Sequence, residues 1–406
     1  MNGRKAIHDL AIAVTALASR LIPDRVPMTL LGAGSSRDLC AAIAQAGVKK
    51  LLIVTDAMLV QLGLVGQITS CLDGNGVASF VYDGVEPDPT SDHVAAGLAM
   101  LRSHGCDAIL AVGGGSPMDA AKIIAAAATN PKPLRKLEGL LKVRRTPVPL
   151  YAIPTTAGTG SEVTIAAVVS DPVTHAKKFF VDPKLLPLMT ALDPSLMTGL
   201  PPAITAATGM DALTHAIESY LSKTSNAQTE RWAAAAIRLI FANLPRAYAD
   251  GSDIDARRAM ALASYYAGLA FTRTSVGYVH AIAHQLGAHY RTPHGLANAT
   301  VLPHVLEFSM GPARKRIADM ARMIDLPGRD EAALASAFLG KVRELARTVG
   351  ISPTLASLKA EDIPSLARDA LAEAHMNYPV PRYMETADCE QLISRLLPSD
   401  GAASRA

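Results

Sequence analysis

Short apolar runs and segments of helical period alternate along the first half of the chain. Residues 49–56 (KKLLIVTD), 78–85 (ASFVYDGV), 106–115 (CDAILAVGGG) and 148–156 (VPLYAIPTT) read as strands, and the segments between the first three carry helix-length patterns. This βαβ order predicts a mainly parallel sheet covered on both faces by helices. Further short strands are expected at 165–171, 177–182 and 189–193. Beyond Pro202 the texture changes: from Ala203 to about Leu397 the pattern is helical, with Pro and Gly mainly at breaks. A division near 195 to 202 follows. At the N-terminus Ile7, Leu10, Val14, Leu17 and Leu21 recur at steps of three and four, the apolar face of a helix that would pack on the body or on a neighbouring subunit. The final PSDGAASRA reads as a frayed tail.

Composition narrows the class. A chain of 406 residues, 50% hydrophobic and 18% charged, fits a globular protein of two domains. A net charge of +3, without Lys or Arg runs, speaks against a nucleic-acid or anionic-membrane partner. No stretch has the apolar length of a membrane span. Cys40, Cys71, Cys106 and Cys389 are far apart and form no C-x-x-C pair, which fits a reducing cytoplasm. His8, Asp9 and Arg20 interrupt what would otherwise resemble a signal peptide.

Two loops invite a nucleotide. In AVGGGSPMDAAK (111–122) a strand leads through Gly113, Gly114 and Gly115 into a helix, with Ser116 near the N-cap and Pro117 in the first turn. Glycines let the backbone approach a ligand closely, and a helix start offers free N–H groups and a positive dipole end to a phosphate. Such turns also serve packing alone. The run is neither G-x-G-x-x-G nor a Walker loop. The acid expected to meet a ribose, Asp56, precedes the glycines rather than following them, which points to a variant nucleotide fold. A carboxylate there accepts from a ribose 2′-OH and repels a 2′-phosphate, favouring NAD over NADP; its other possible role is a helix N-cap. PTTAGTGSE (154–162) is a second small-residue loop at a strand end, with hydroxyls from Thr155, Thr156 and Thr159.

Four of the chain's 11 histidines, His280, His284, His289 and His294, fall within residues 278–295, where an even spread would put about 0.5. His280 and His284 are four apart and share a helix face, and His294 follows a turn marked by Pro293. Upstream, Asp211 and His215 repeat the four-residue spacing. One carboxylate and two or three imidazoles converging between helices make a divalent metal site, although single i,i+4 pairs are also common on solvated faces. An open catalytic site has no room for every histidine as a ligand, so one is left for proton handling.

Together GGGSPMDAAK, AIPTTAGTGSE, ATGMDALTHAIESY and VHAIAHQLGAHYRTPHGLANATVLPHV resemble the iron-containing (group III) alcohol dehydrogenase family, in particular its lactaldehyde reductase-type and ethanolamine-utilisation-type members. The resemblance runs from about Met28 to the C-terminus. It implies an N-terminal extension (1–27), a Rossmann-like α/β dinucleotide-binding domain (28–198) and an all-α metal-binding domain (199–406). It implies Asp211, His215, His280 and His294 as metal ligands and His284 as a proton relay. Cofactor contacts would come from Asp56, Gly114, Gly115, Ser116, Thr155, Thr156, Thr159 and Lys178. His289 is expected to be structural or to stand behind the ligands. The implied activity is hydride transfer between NAD(H) and a small primary alcohol or aldehyde, with Fe²⁺, or Zn²⁺ on ligand affinity alone. The apolar faces of the large helical region fit a homodimer or larger assembly. Gln285, Ala166, His375 and Asp88 depart from the family pattern near the substrate pocket or ribose site, so specificity does not carry over. Phe271 is expected in the pocket wall. Two other classes share these features: a dehydroquinate synthase-like lyase using NAD and zinc, and a non-catalytic assembly subunit.

Overall fold

Strand β2 (Lys50–Val54) is apolar along nearly its whole length because both of its faces are covered. Leu52 and Val54 join Ile109, Ala111, Leu150 and Ala152 in one core, while Leu51 and Ile53 join Leu110, Val112, Tyr151 and Ile153 in another. The alternation of side chains along a strand thus feeds two apolar layers, one on each side of the sheet. The structure is a computed structural model that describes residues 5, 8–10, 12–13, 25–174 and 176–398.

The other strands are β1 (Met28–Leu31), β3 (Ala78–Tyr82), β4 (Ala108–Gly113), β5 (Gly139–Leu140), β6 (Leu150–Pro154), β7 (Ala166–Ser170), β8 (Lys177–Val181) and β9 (Met189–Leu192). Six form a parallel sheet in the order β1-β9-β6-β4-β2-β3, and β5-β8-β7 form a small mixed sheet. All seven strands expected from the sequence are present. The sequence reading missed β1 and β5, whose four and two residues are too short to show a period. From β2 the chain steps outward to β3 and returns past β2 to β4. The strand order therefore reverses between β2 and β4, the place where open α/β sheets bind ligands at their carboxyl ends. Helices α1 (Ser35–Gln45), α2 (Ala57–Gln61), α3 (Leu64–Gly74), α4 (Ser91–His104) and α5 (Gly115–Thr129) connect these strands.

The helical region holds α6 (Pro202–Leu221), α7 (Ala227–Ala249), α8 (Ile254–Thr274), α9 (Tyr278–Tyr290), α10 (His294–Met323), α11 (Glu331–Thr348), α12 (Ile363–Asn377) and α13 (Thr386–Ser394). Two compact units emerge: an α/β unit of residues 23–200 and 252–268, and a helical unit from the remainder. Residues 252–268, helical in pattern, group with the α/β unit. Tyr265 on α8 bonds Thr29 within β1 at 2.8 Å, and Gly268 packs backbone to backbone on Gly160. In the helical unit α6 packs against α7 and α10, and α10 against α11. From Gly209 to Leu221 every residue of α6 is buried, so this helix runs through the unit's interior.

Of the N-terminal apolar face only Leu10 lies among the described residues; Ile7, Val14, Leu17 and Leu21 lie outside them. Leu10 is 66% exposed, and His8 and Ile12 are the buried side chains. His8 Nδ1 meets the His375 carbonyl at 2.8 Å. The tail beyond Pro398 lies outside the described residues.

Gly160 has φ +60°, and a Cβ there would lie 2.7 Å from Gly268 Cα and 2.9 Å from the Ser264 carbonyl. Backbone on both sides cannot yield. Gly160→Ala should destabilise the protein by about 1–3 kcal/mol, measured by urea unfolding; an unchanged midpoint would show that the loop relaxes freely.

Candidate functional site

The two loops singled out in the sequence meet in the α/β unit. Strand β4 ends at Gly113, whose φ of +147° suits glycine, and α5 begins at Gly115 with Gly114 as its N-cap. No side chain caps this end, so its first N–H groups are left to a ligand or solvent. Helix α5 starts one residue earlier than expected, which puts Ser116 inside the first turn rather than at the cap. On the neighbouring strand β6, Thr155 N donates to the Gly113 carbonyl at 3.0 Å, extending the pairing into the second loop. A Cβ on Gly114 would lie 3.2 Å from Thr156 Oγ1, and one on Gly115 3.0 Å from Thr159 Cγ2. The glycines are small because the threonine loop presses against them.

A buried polar network fixes that contact. Lys122, fully buried on α5, donates to Ser161 Oγ (3.1 Å), Thr164 Oγ1 (2.8 Å) and the Ala166 carbonyl (2.7 Å). Asp119, one turn earlier, accepts from Ser161 Oγ (2.7 Å) and Val168 N (2.9 Å). Burial pushes the Lys122 ammonium down to about 8, opposed by Asp119 and Glu162, and pushes Glu162 up to about 7. Nothing in the spacing of Lys122 had marked it, although it closes the quoted run GGGSPMDAAK.

Asp56 stands past the end of β2 at the reversal point and N-caps α2, accepting from Leu59 N at 3.0 Å. Lys178 is held by Asp171 at 2.8 Å. Its neighbour Lys177 points to the opposite face of β8, pairs with Asp88 at 3.1 Å and lies within electrostatic reach of Asp119.

In the helical unit, accounting for the polar groups of α6 exposes the metal group. Thr214 Oγ1 donates to the Met210 carbonyl at 2.9 Å, Ser219 accepts from Thr274 Oγ1 at 2.9 Å, and Asp211 accepts from Asn298 Nδ2 at 2.7 Å. At this helix Asp211, His215, His280 and His294 converge, each with one ligand atom within 4.8 Å of the others. His215 Nδ1, His280 Nε2 and His294 Nε2 stand 4.0, 3.8 and 3.5 Å from the Asp211 oxygens. These separations are too long for hydrogen bonds. They match atoms that share an ion, since ligands about 2.1 Å from a common tetrahedral centre sit about 3.4 Å apart. His280 Nε2 is buried without a hydrogen-bond partner, and an imidazole so placed is satisfied by a metal. Burial also pushes His280 down to about 4, which keeps it neutral. The turn that delivers His294 uses Arg291 at φ 54°, and Gly295 lets the start of α10 lie against α6, where a Cβ would fall 2.4 Å from the Ala207 carbonyl.

His284 stays outside this group. Its Nδ1 meets Glu373 Oε1 at 2.7 Å; Glu373 also accepts from Tyr378 and, at 3.1 Å, from Gln285. Burial pushes the Glu373 carboxyl up, but the His284 and Tyr378 bonds outweigh this and hold it below its usual range. Glu373 is therefore placed to accept from His284 Nδ1, the tautomer that leaves the Nε2 lone pair for proton exchange. Glu218 likewise faces His280 Nδ1, at 2.6 Å. The sequence reading missed both glutamates; Glu218 lies seven residues after Asp211 on the same face, a signal present in the spacing, whereas Glu373 comes from a distant helix. Phe271 stacks on His215, centroids 4.1 Å apart. His289, expected to be structural or to stand behind the ligands, is exposed on α9 with its ring 6.2 Å from that of Tyr290. His375 stacks on Tyr383 and meets the Met384 carbonyl at 3.1 Å.

Nucleotide-linked, metal-dependent oxidoreductases combine these two features, and comparison with known proteins identifies the family. Residues 27–194 match the model for iron-containing alcohol dehydrogenase, and residues 205–397 that for the C-terminal part of the Fe-containing alcohol dehydrogenase family. The chain belongs to the iron-containing alcohol dehydrogenase family. It is 41% identical to lactaldehyde reductase of Escherichia coli (strain K12) over 361 residues, 87% of this chain and 94% of that protein. The crystal structure of a 1,3-propanediol oxidoreductase superposes with a TM-score of 0.89 at 38% identity, covering 92% of this chain and 98% of that one. Sulfoacetaldehyde reductase from Bifidobacterium kashiwanohense in complex with NAD+ superposes at 0.83 with 29% identity, covering 93% and 98%. Among the described residues no helix is long and apolar enough to cross a membrane.

Lys122→Met removes the cation that binds three loop oxygens and leaves Asp119 without it. Loss of a buried charge partner costs about 3–5 kcal/mol, so the melting temperature should drop and NAD affinity should fall with it. Calorimetry with nucleotide titration decides: unchanged affinity would detach the network from the loops.

Proposed function

We propose that this chain interconverts a small primary alcohol and its aldehyde with NAD(H), holding a divalent ion on Asp211, His215, His280 and His294. The observation that carries this is the buried, unpartnered Nε2 of His280 facing Asp211 and two further imidazoles across gaps too long for hydrogen bonds. Family membership favours iron; the donor set of three nitrogens and one oxygen also suits zinc. It also favours the dehydrogenase over a lyase, and the complete group of four argues against a subunit that has lost catalysis.

When bound, the ion supplies Lewis acidity toward the substrate oxygen and the nicotinamide supplies the hydride donor or acceptor. Asp211 would place one negative charge beside three imidazoles, leaving part of the ion's charge for the substrate. His284, held through Nδ1 by Glu373, presents Nε2 to take up or return the hydroxyl proton. Gly114, Gly115 and Ser116 offer their N–H groups to the NAD phosphates, with Thr155, Thr156 and Thr159 beside them. Asp56, with one oxygen on Leu59 N, keeps the other for a ribose hydroxyl and disfavours a 2′-phosphate. Lys178, paired with Asp171, and its neighbour Lys177, paired with Asp88, are the cations of β8 that would meet the cofactor. Relatives named for lactaldehyde, propanediol and sulfoacetaldehyde suggest a short substituted aldehyde. Exposed Val26, Met28 and Leu31 at edge strand β1 support a homodimer or larger assembly, and four free thiols fit the cytoplasm.

The test is NADH oxidation over a panel of short aldehydes after metal stripping and anaerobic reloading with Fe²⁺ or Zn²⁺. Activity should return with metal and vanish in His280→Ala. His284→Ala should keep its metal and NADH affinity while kcat falls by about a hundredfold or more. Metal and NAD uptake without reduction of any aldehyde would refute the dehydrogenase assignment.

A further inference from the structure

Glu218 lies on α6, three residues beyond His215, and is buried. Its carboxylate takes three donors from the start of α9. Oε2 accepts from Gly277 N at 2.8 Å and faces His280 Nδ1 at 2.6 Å, and Oε1 accepts from Val279 N at 2.8 Å. The N-cap of α9 is Gly277, which has no side chain to cap the helix. A residue from another helix therefore does the work of an N-cap, satisfying two N–H groups that a helix start would otherwise leave orphaned.

The same three bonds decide the state of His280. With Oε2 accepting from Gly277 N and Oε1 from Val279 N, the carboxylate is placed to accept from the imidazole as well, the arrangement with the ring proton on Nδ1. Nε2 is then left with its lone pair, pointing toward Asp211 at 3.8 Å. Gly277 is required for this arrangement by space rather than by backbone strain. A Cβ there would lie 2.7 Å from Glu218 Oε1 and 3.1 Å from its Cδ, so any larger residue pushes the carboxylate off its partners.

We propose that Glu218 and Gly277 form a bracket that orients His280 before an ion arrives, so that metal affinity is set by a positioning residue and a glycine that supply no ligand atom. The proposal rests on the assignment of His280 as a ligand. It couples two events: the bonds that begin α9 are the bonds that present Nε2. Carboxylates that hold a ligating imidazole by its other nitrogen contribute about ten- to hundredfold in metal affinity.

The test uses the full chain, stripped and titrated with Co²⁺ against a chelator of known affinity, following the visible d–d bands. Wild type should take up one ion. Glu218→Gln keeps the shape but turns one acceptor into a donor, and Gly277→Ala displaces the carboxylate; both should weaken Co²⁺ binding about ten- to hundredfold and alter the band shape. Ser219→Ala, which removes a buried bond from α6 to Thr274 on α8, should lower thermal stability without moving the affinity. That contrast separates positioning from general damage. If Gly277→Ala fails to fold, the isosteric Glu218→Gln decides alone. Wild-type affinity in Glu218→Gln would overturn the bracket while leaving the metal site standing. A wild type that takes up no ion would overturn the ligand assignment, and the bracket with it.

Discussion

Helix α6 is buried on every side over its second half yet carries Asp211, His215 and Glu218, and much of the helical unit follows from satisfying them. A buried carboxylate without partners is costly, and two on one helix more so. Each finds its partners on helices far along the chain: Asn298 on α10 for Asp211, and the start of α9 for Glu218. Those contacts fix where α9 and α10 begin. The short turn between them, through Arg291 in the left-handed region, then brings His294 to the same place as His280. The polar groups that cost most to bury are also those that locate the helices.

In the α/β unit the constraint is close approach. Gly114 and Gly115 are pressed by Thr156 and Thr159, and behind them Lys122 and Asp119 tie α5 to the residues after the threonine loop. A phosphate cradle needs backbone N–H groups held in place, and these loops are held by packing and by a buried charge network as well as by backbone bonds such as Thr155 N to the Gly113 carbonyl. Both lie at the carboxyl ends of adjacent parallel strands, beside the point where the strand order reverses, so topology and local chemistry point to one crevice.

Carboxylates behind imidazoles recur in the helical unit. Glu218 faces His280 and Glu373 faces His284, each at Nδ1, and each turns an Nε2 outward. The outcomes differ because the surroundings differ: His280 points toward Asp211 and two other rings, while His284 stands apart with Gln285 and Tyr378 sharing its carboxylate. Gln285, a departure from the family pattern, is thereby part of the network that holds the relay histidine.

Much of the architecture was legible from the chain alone, because periodicity is local. Seven strands, the parallel sheet and the helical half follow from runs such as KKLLIVTD and from the change of texture after Pro202. The metal residues were legible as well, since Asp211/His215 and His280/His284 announce themselves by i,i+4 spacing, which places two side chains on one helix face whatever the rest of the fold does. Spacing could not say which histidine stands aside, because that depends on Glu373, some 90 residues away, meeting His284. Nor could it show that Asp56 caps α2, that Lys178 is held by Asp171, that His289 is exposed, or that residues 252–268 belong with the α/β unit. Each of these depends on partners brought together by packing, and a one-dimensional pattern records the face a residue occupies but not what lies across from it.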